Sequence, residues 1–313
     1  MGQSETGLRH TINDLRSHYV VRNLFSVRKI IFQTKLTAFS FGFLIFVGIL
    51  AIIGPEITPY AYNESLYSEG GELLRREPPS IAHPLGTTAR GEDVLSRLMY
   101  GAQPTVVTGL LGGALIIGIG MSIGVVSGYI GGTTENVLMR ITDFMYAVPL
   151  IPFAIVLLSF LGFGFFTTIG VIGLILWRGN ARVLRSQVLQ IKERPYITSA
   201  RATGASTPRI ILRHILPNIA SMAILFFALG IGYSILVQAS LAFIGVSSPF
   251  VPSWGVMLRN AYNSGFMSTA WWWTIPPGVM ISLTVLSTFV LGRQFESDPD
   301  NLQTEVQTRE TNE

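Results

Sequence analysis

A chain of 313 residues that is 49% hydrophobic and only 13% charged, with a positive mean hydropathy, falls outside most soluble globular classes. Its 22 Lys and Arg outnumber its 18 Asp and Glu, a formal net charge of +4, and membrane topology accounts for that excess without a nucleic-acid partner. The absence of cysteine removes disulfides and thiolate chemistry.

Residues 1–35 form a polar arm ahead of the first apolar run, so no cleavable signal peptide is expected at the start. Leu8, Ile12, Leu15 and Tyr19 recur at helical spacing, with Arg9, Arg16 and Arg22 off that stripe. The arm reads equally as an interfacial helix on the cytoplasmic leaflet or as a partly disordered segment. A spanning helix needs roughly 20 apolar residues, and residues 36–55 supply the first.

Residues 56–101 then form a long external loop with seven acids against four basic residues. His83 to Thr87 predicts a tight turn. Gly91 to Gly101 predicts an amphipathic helix that partly buries Val94, Leu95, Leu98 and Met99, with Asp93 and Arg97 at the i, i+4 spacing of an ion pair. His83 lacks further ligands at zinc spacing and reads as a turn residue.

The uncharged run Gly101–Thr134 gives a second span. Gly120, Gly124 and Gly128 stand at four-residue steps in it, preceded by Gly109 and Gly113. Such a stripe lets backbones approach closely, either against a mobile neighbour or as general membrane packing. Arg140 and Asp143 then stand at i, i+3, an ion pair at the membrane boundary. Phe144 to Trp177 holds two short spans, divided at Leu161 to Gly164. Pro149 and Pro152 lie inside the apolar run, as a hinge or as a static kink.

The stretch Lys192–Pro217 is charged and rich in helix breakers, between two apolar blocks. Pro195 suits a first helical turn, Tyr196 to Thr203 are helix-compatible, and Gly204 suits a left-handed C′ position. Thr207 and Pro208 predict an N-cap and N1 opening a second helix to Ile215, which Pro217 interrupts. A helix of about two and a half turns is marginal alone in water, so this one reads as a knob docked on a partner protein.

A fifth span runs from Ile215 to about Phe243. Tyr233, Ser234, Gln238 and Ser240 are polar at depth and face either a translocation path or another helix. Pro249 and Pro252 break the segment after it, Trp271 to Trp273 suit the membrane interface, and Thr274–Leu291 is the sixth span. The tail 293–313 includes an aperiodic polar stretch, Asn301 to Glu313, expected to be disordered. With six spans, 17 Lys and Arg fall on one side against five on the other (Arg75, Arg76, Arg90, Arg97, Arg259). Positive-inside then places both termini and the 178–217 loop in the cytoplasm, and residues 102–292 make a five-helix core. The expected class is an all-α membrane protein with six transmembrane helices.

Several of these strings coincide with one family. Ala200, Gly204, Leu216 and Pro217 fall at the spacing E-A-A, three residues, G, nine residues, I-x-L-P, with Thr198 and Ser199 in place of Glu and the first Ala, and His214 in place of Ile. His83 to Gln103 is similar to HPLGTD-x-x-GRDVLSR-x-x-YGAR, departing at Thr88, Glu92 and Gln103. Met139 to Pro149, Pro252 to Leu258, Trp271 to Gly278 and Leu291 to Gly292 extend the match, which covers roughly residues 36–300. The chain resembles permease subunits of binding-protein-dependent ABC importers, in the dipeptide, oligopeptide and nickel branch. The resemblance implies a type I importer permease fold in the cell membrane, paired with a second permease, a sister chain rather than a copy. It implies two ATPase subunits docked on Tyr196, Thr198, Ser199, Ala200, Arg201, Gly204, Leu216 and Pro217, and an external solute-binding protein. ATP and Mg would belong to those partners, with no cofactor, metal or catalytic residue on this chain.

The residues agree with that division. A P-loop needs a lysine after glycine, and Lys29, Lys35 and Lys192 do not follow one. A secondary transporter or channel would predict intramembrane charges or inverted repeats, and neither is visible. A non-transporting membrane scaffold would tolerate the same loop.

Overall fold

The computed structural model describes residues 34–295 apart from Pro249. The Leu8–Tyr19 stripe, the 301–313 tail and Pro249 lie outside the described residues. Among those described there is no strand, only two isolated bridges, Tyr67 with Leu73 and Thr87 with Asp93.

Four helices are long and apolar enough to cross a membrane: α1 (Lys35–Ile57), α2 (Val94–Ile130), α10 (Ala220–Ile244) and α12 (Trp271–Arg293). Thr34 caps α1 in a reciprocal box, its hydroxyl accepting from the Thr37 N–H while the Thr37 hydroxyl accepts from the Thr34 N–H. At 1.5 Å per residue, the 37 residues of α2 reach about 55 Å, well beyond a hydrocarbon core of about 30 Å. The expected separate amphipathic helix is therefore corrected. It starts at Val94, capped by Asp93, and continues without a break into the second span.

Even with the bent pair of helices over residues 132–161 counted as one span, five helices at most among the described residues are of crossing length, so the expected six are not reached, and the two short spans the sequence suggested are apolar helices of 12 residues each. They are α4 (Leu150–Leu161) and α5 (Phe165–Leu176), joined at Gly162, which takes φ +91°. Before them, α3 (Gly132–Ala147) meets α4 at a 97° bend, with Pro149 at the N-cap of α4. Phe144, expected to open the third span, belongs to α3, ahead of the bend. Pro149 marks a sharp break where the sequence alone allowed a hinge or a kink. The orphan carbonyls at the end of α3 are met by Arg178, whose guanidinium donates to Met145 O and Val148 O.

Trp177 keeps helical dihedrals, so α5 runs on into α6 (Arg178–Lys192). α7 (Pro195–Ala202) and α8 (Thr207–Ile210) follow, then a π-helical turn (Ile211–Ile215) and α9 (Leu216–Asn218). The fifth span starts at Ala220, not Ile215, and Gly245 ends it at φ +98°. α11 (Trp254–Asn263) is a short helix before α12, capped by Ser253. α2 is the central column, packed against α1, α5, α6 and α10.

Apolar burial divides into three clusters. One joins α1, the start of α2, α11 and α12 around Val94, Trp254 and Met257. A second seats α4 and α5 on α2 and α10 through Leu158, Ile172 and Leu241. The third lies at the α7 end. The expected tryptophan belt is partly corrected. Trp271 is exposed, Trp273 is 2% exposed and belongs to the first cluster, and Trp272 donates to Thr87 O at 3.4 Å.

Candidate coupling site and polar residues at depth

α7 is eight residues long, has Pro195 in its first turn, and ends as the sequence suggested. Gly204 takes φ +82°, its N–H donates to Arg201 O at 2.9 Å, and the Ala205 N–H donates to Ala200 O at 3.0 Å. This pair of bonds is a Schellman ending, which answers carbonyls the helix leaves open. A side chain at Gly204 would meet no atom within 4 Å, so the requirement there is conformational and not spatial.

The anchor of α7 is Ile197, fully buried among Val125, Tyr129, Leu184, Val188, Ile191, Ile210 and Ile215. Sequence reasoning passed over it, although it is the one large aliphatic side chain between Pro195 and Ala202. Around that anchor Tyr196, Thr198, Ser199, Arg201 and Gly204 are exposed and Ala200 is half-buried. Arg201 and Lys192 both lie against the Tyr129 ring, 5.2 and 5.9 Å from its centroid. Tyr196 faces the ring of His214 at 6.1 Å.

The second half of the loop departs from expectation. Ser206, not Thr207, precedes the first helical residue, and α8 extends only to Ile210. The chain then widens into the π turn, where the Leu216 N–H reaches Ile211 O. Pro217 does not end a helix. It sits in α9, lacks the N–H an α-helix would use, and follows a turn whose wider ladder absorbs that loss. Leu216 packs against the Ile197 cluster, while Pro217 is exposed.

The glycine stripe explains how this end is joined to the core. A Cβ at Gly120, Gly124 or Gly128 would lie 2.9 Å from Trp177 O, 2.7 Å from Ala181 O or 2.9 Å from Arg185 O. The stripe is the seat of α6, which leads directly into α7. Two ion pairs tie α6 to α3: Arg185 with Glu135, and Arg182 with Asp143. The expected Arg140–Asp143 pair is corrected, because the tertiary partner of Asp143 lies on α6.

A model of the family described as binding-protein-dependent transport system inner membrane component matches residues 120–299, more than half of the chain and all of the site above. The chain belongs to that family. It is a permease subunit of an ABC importer and a multi-pass inner-membrane protein. It is 34% identical over 262 residues to the dipeptide transport system permease protein DppC of Bacillus subtilis, covering 83% of this chain and 80% of that one. It is 36% identical over 217 residues to the glutathione transport system permease protein GsiD of Pectobacterium atrosepticum, covering 69% and 71%. It is 30% identical over 262 residues to the oligopeptide transport system permease protein OppC of Bacillus subtilis, covering 83% of each.

The polar residues of the permease's α10 part company. Ser234 is fully buried against Gly112, where a Cβ would lie 2.4 Å from its Oγ. Gln238 is 3% exposed, and its amide donates to Ser253 Oγ at 3.5 Å. Both side chains face neighbouring elements inside the subunit, Ser234 against Gly112 of α2 and Gln238 against Ser253 at the start of α11. Tyr233 is half-exposed with its ring 5.2 Å from Phe289, and Ser240 donates to its own helix at Leu236 O.

At the opposite end, His83 closes its turn by accepting the Gly86 N–H at its carbonyl, and its Nδ1 lies 3.1 Å from Asp93 Oδ1. Asp93 also accepts from the Ser96 N–H and hydroxyl, so its carboxylate is committed to the cap. The expected Asp93–Arg97 pair is corrected: Arg97 pairs with Glu92 at 2.6 Å. Among the described residues no cluster of metal-ligating side chains occurs.

Proposed function

We propose that this permease moves short peptides, as the names of its relatives suggest for those proteins, with ATP and Mg handled by two separate ATPase subunits. A second, homologous permease completes the pathway, and an external solute-binding protein delivers cargo. The excess of basic residues on one side supports cytoplasmic placement of α7 and both termini.

The observation that carries the coupling reading is α7 itself. It is a short helix held by one buried side chain, with Tyr196, Thr198, Ser199 and Arg201 turned outward and a glycine ending. A helix this short is unstable alone, so the exposed face suits docking in a partner's groove. Closure of the ATPase subunits would displace α7. α6 would carry the displacement to α2 along the glycine stripe, and the spans would rock toward the alternate opening. Tyr233 would line a path shared with the sister permease, and its exposure on α10 supports that role. Ser234 and Gln238 would hold α10 in place behind it.

The test is to tag the permease, extract it gently from native membranes and determine the mass of the intact complex. Copies of an ATPase subunit and a second permease are expected. A stable complex lacking any P-loop subunit would overturn the coupling role of α7.

A further inference from the structure

The 58–93 loop, the start of α2 and α11 border a half-open cavity of about 490 Å³, within the range of small-ligand sites. Three of the chain's five basic residues outside the α7 side line it: Arg90, Arg97 and Arg259. The cavity is basic although the loop around it is acidic overall. One carboxylate, Glu92, shares the lining, and it is already engaged by Arg97 at 2.6 Å and by the Thr88 hydroxyl at 2.9 Å. Arg97 is 5% exposed, and its Nε is buried without a hydrogen-bond partner. Among the described residues Arg259 has no carboxylate within ion-pair distance. Its place is nevertheless shaped: a Cβ on Gly245 would lie 2.6 Å from Arg259 Nη2, so the glycine that ends α10 also clears room for the guanidinium. Asn260 and Asn263 add amide donors and acceptors to the same wall.

Concentrated positive charge without matching acids in a concave site calls for an anion, and guanidinium groups match carboxylate geometry. The neighbouring asparagine amides add the hydrogen-bonding pattern of a peptide bond. An acidic side chain on the surface of the delivering protein would meet the exposed Arg90 at the rim, whereas Arg259 is half-buried beside Gly245. We infer that the cavity receives the terminal carboxylate of an incoming short peptide. Arg259 and Arg90 supply the charge, Arg97 is fixed behind them by Glu92, and Asn260 and Asn263 pair with the last peptide bond. This rests on the peptide reading above.

The test uses the complete importer in proteoliposomes with its solute-binding protein, comparing trialanine with its C-terminal amide. Each peptide is supplied at a level that saturates the isolated binding protein. Loss of a charge-assisted hydrogen bond predicts that Arg259→Gln slows trialanine uptake roughly tenfold while the amide changes by about twofold or less, and that Arg259→Lys recovers part of the rate. ATPase stimulation by unliganded binding protein should not change. Equal slowing of both peptides, no slowing of either, or loss of that stimulation would each overturn the cavity assignment alone. A wild-type importer that moves neither peptide would overturn the peptide reading, and this inference with it.

Discussion

At the end that carries the 58–93 loop, polar contacts are buried and cross-linked. His83 meets Asp93, Glu92 meets Arg97 and Thr88, and the indole of Trp254 donates to Leu98 O at 2.8 Å from a fully buried ring. At the α7 end, eight residues are held by Ile197 and two rings, with nearly every polar side chain facing outward. The first arrangement resists local opening. The second can shift as a unit because few contacts must break. On the coupling reading proposed above, one end is a fixed mouth and the other a lever, and α2 spans both.

The comparison can be broken most severely at Trp254. Removing its ring leaves a cavity against Gly101 and takes away the indole donor to Leu98 O, and Trp254→Ala should cost about 3–5 kcal/mol. Thermal melting of the purified permease in detergent should show a large fall in Tm; an unchanged Tm would mean that this end is not rigidly packed. Ile197→Ala should cost about 3 kcal/mol, but locally. The expected result is an almost unaltered melt, faster hydrogen exchange across residues 195–205, and ATP hydrolysis that no longer drives uptake. A drop in Tm as large as that of Trp254→Ala would erase the distinction between the two ends.

Gly204→Leu forces a branched side chain into a left-handed backbone at a cost of about 1–2 kcal/mol, with no clash to add. It should reduce coupling while the protein still assembles, and full transport at normal ATP turnover would remove Gly204 from the lever. The smallest effect is expected at the Arg182–Asp143 pair, where both side chains are at least half exposed. Asp143→Asn should change stability by under about 1 kcal/mol and transport only slightly, more at low than at high salt. A strong, salt-independent loss would make this pair part of the transmission.

Features set by local backbone chemistry were legible in the sequence. Gly204 ends α7, the Leu161–Gly164 turn divides two short helices, and His83 sits in its turn, because each depends on a few adjacent residues. What failed were choices of partner. Asp93 and Arg97 stand at the right spacing for a pair, yet the carboxylate is more effective as the cap of α2, and Arg97 finds Glu92 behind it. Asp143 likewise answers Arg182 on another helix rather than Arg140 on its own. Gln238 and Ser234 turn inward because Gly112 and Ser253 stand opposite, which no window on α10 reveals. The 97° bend at Pro149 was visible only as a proline in an apolar run. Ile197 was overlooked because one aliphatic residue among polar ones carries no periodicity.

The lever claim is tested most directly by chemical proximity in the working importer. The chain has no cysteine, so a single thiol can be placed at Ser199, on the exposed face of α7, or at Ile81, fully exposed on the opposite end. A short thiol-to-lysine cross-linker applied to the assembled, active complex should join Ser199→Cys to an ATPase subunit and should not join Ile81→Cys to one. An ATPase adduct from Ile81→Cys, or none from Ser199→Cys in a complex that still transports, would contradict the account.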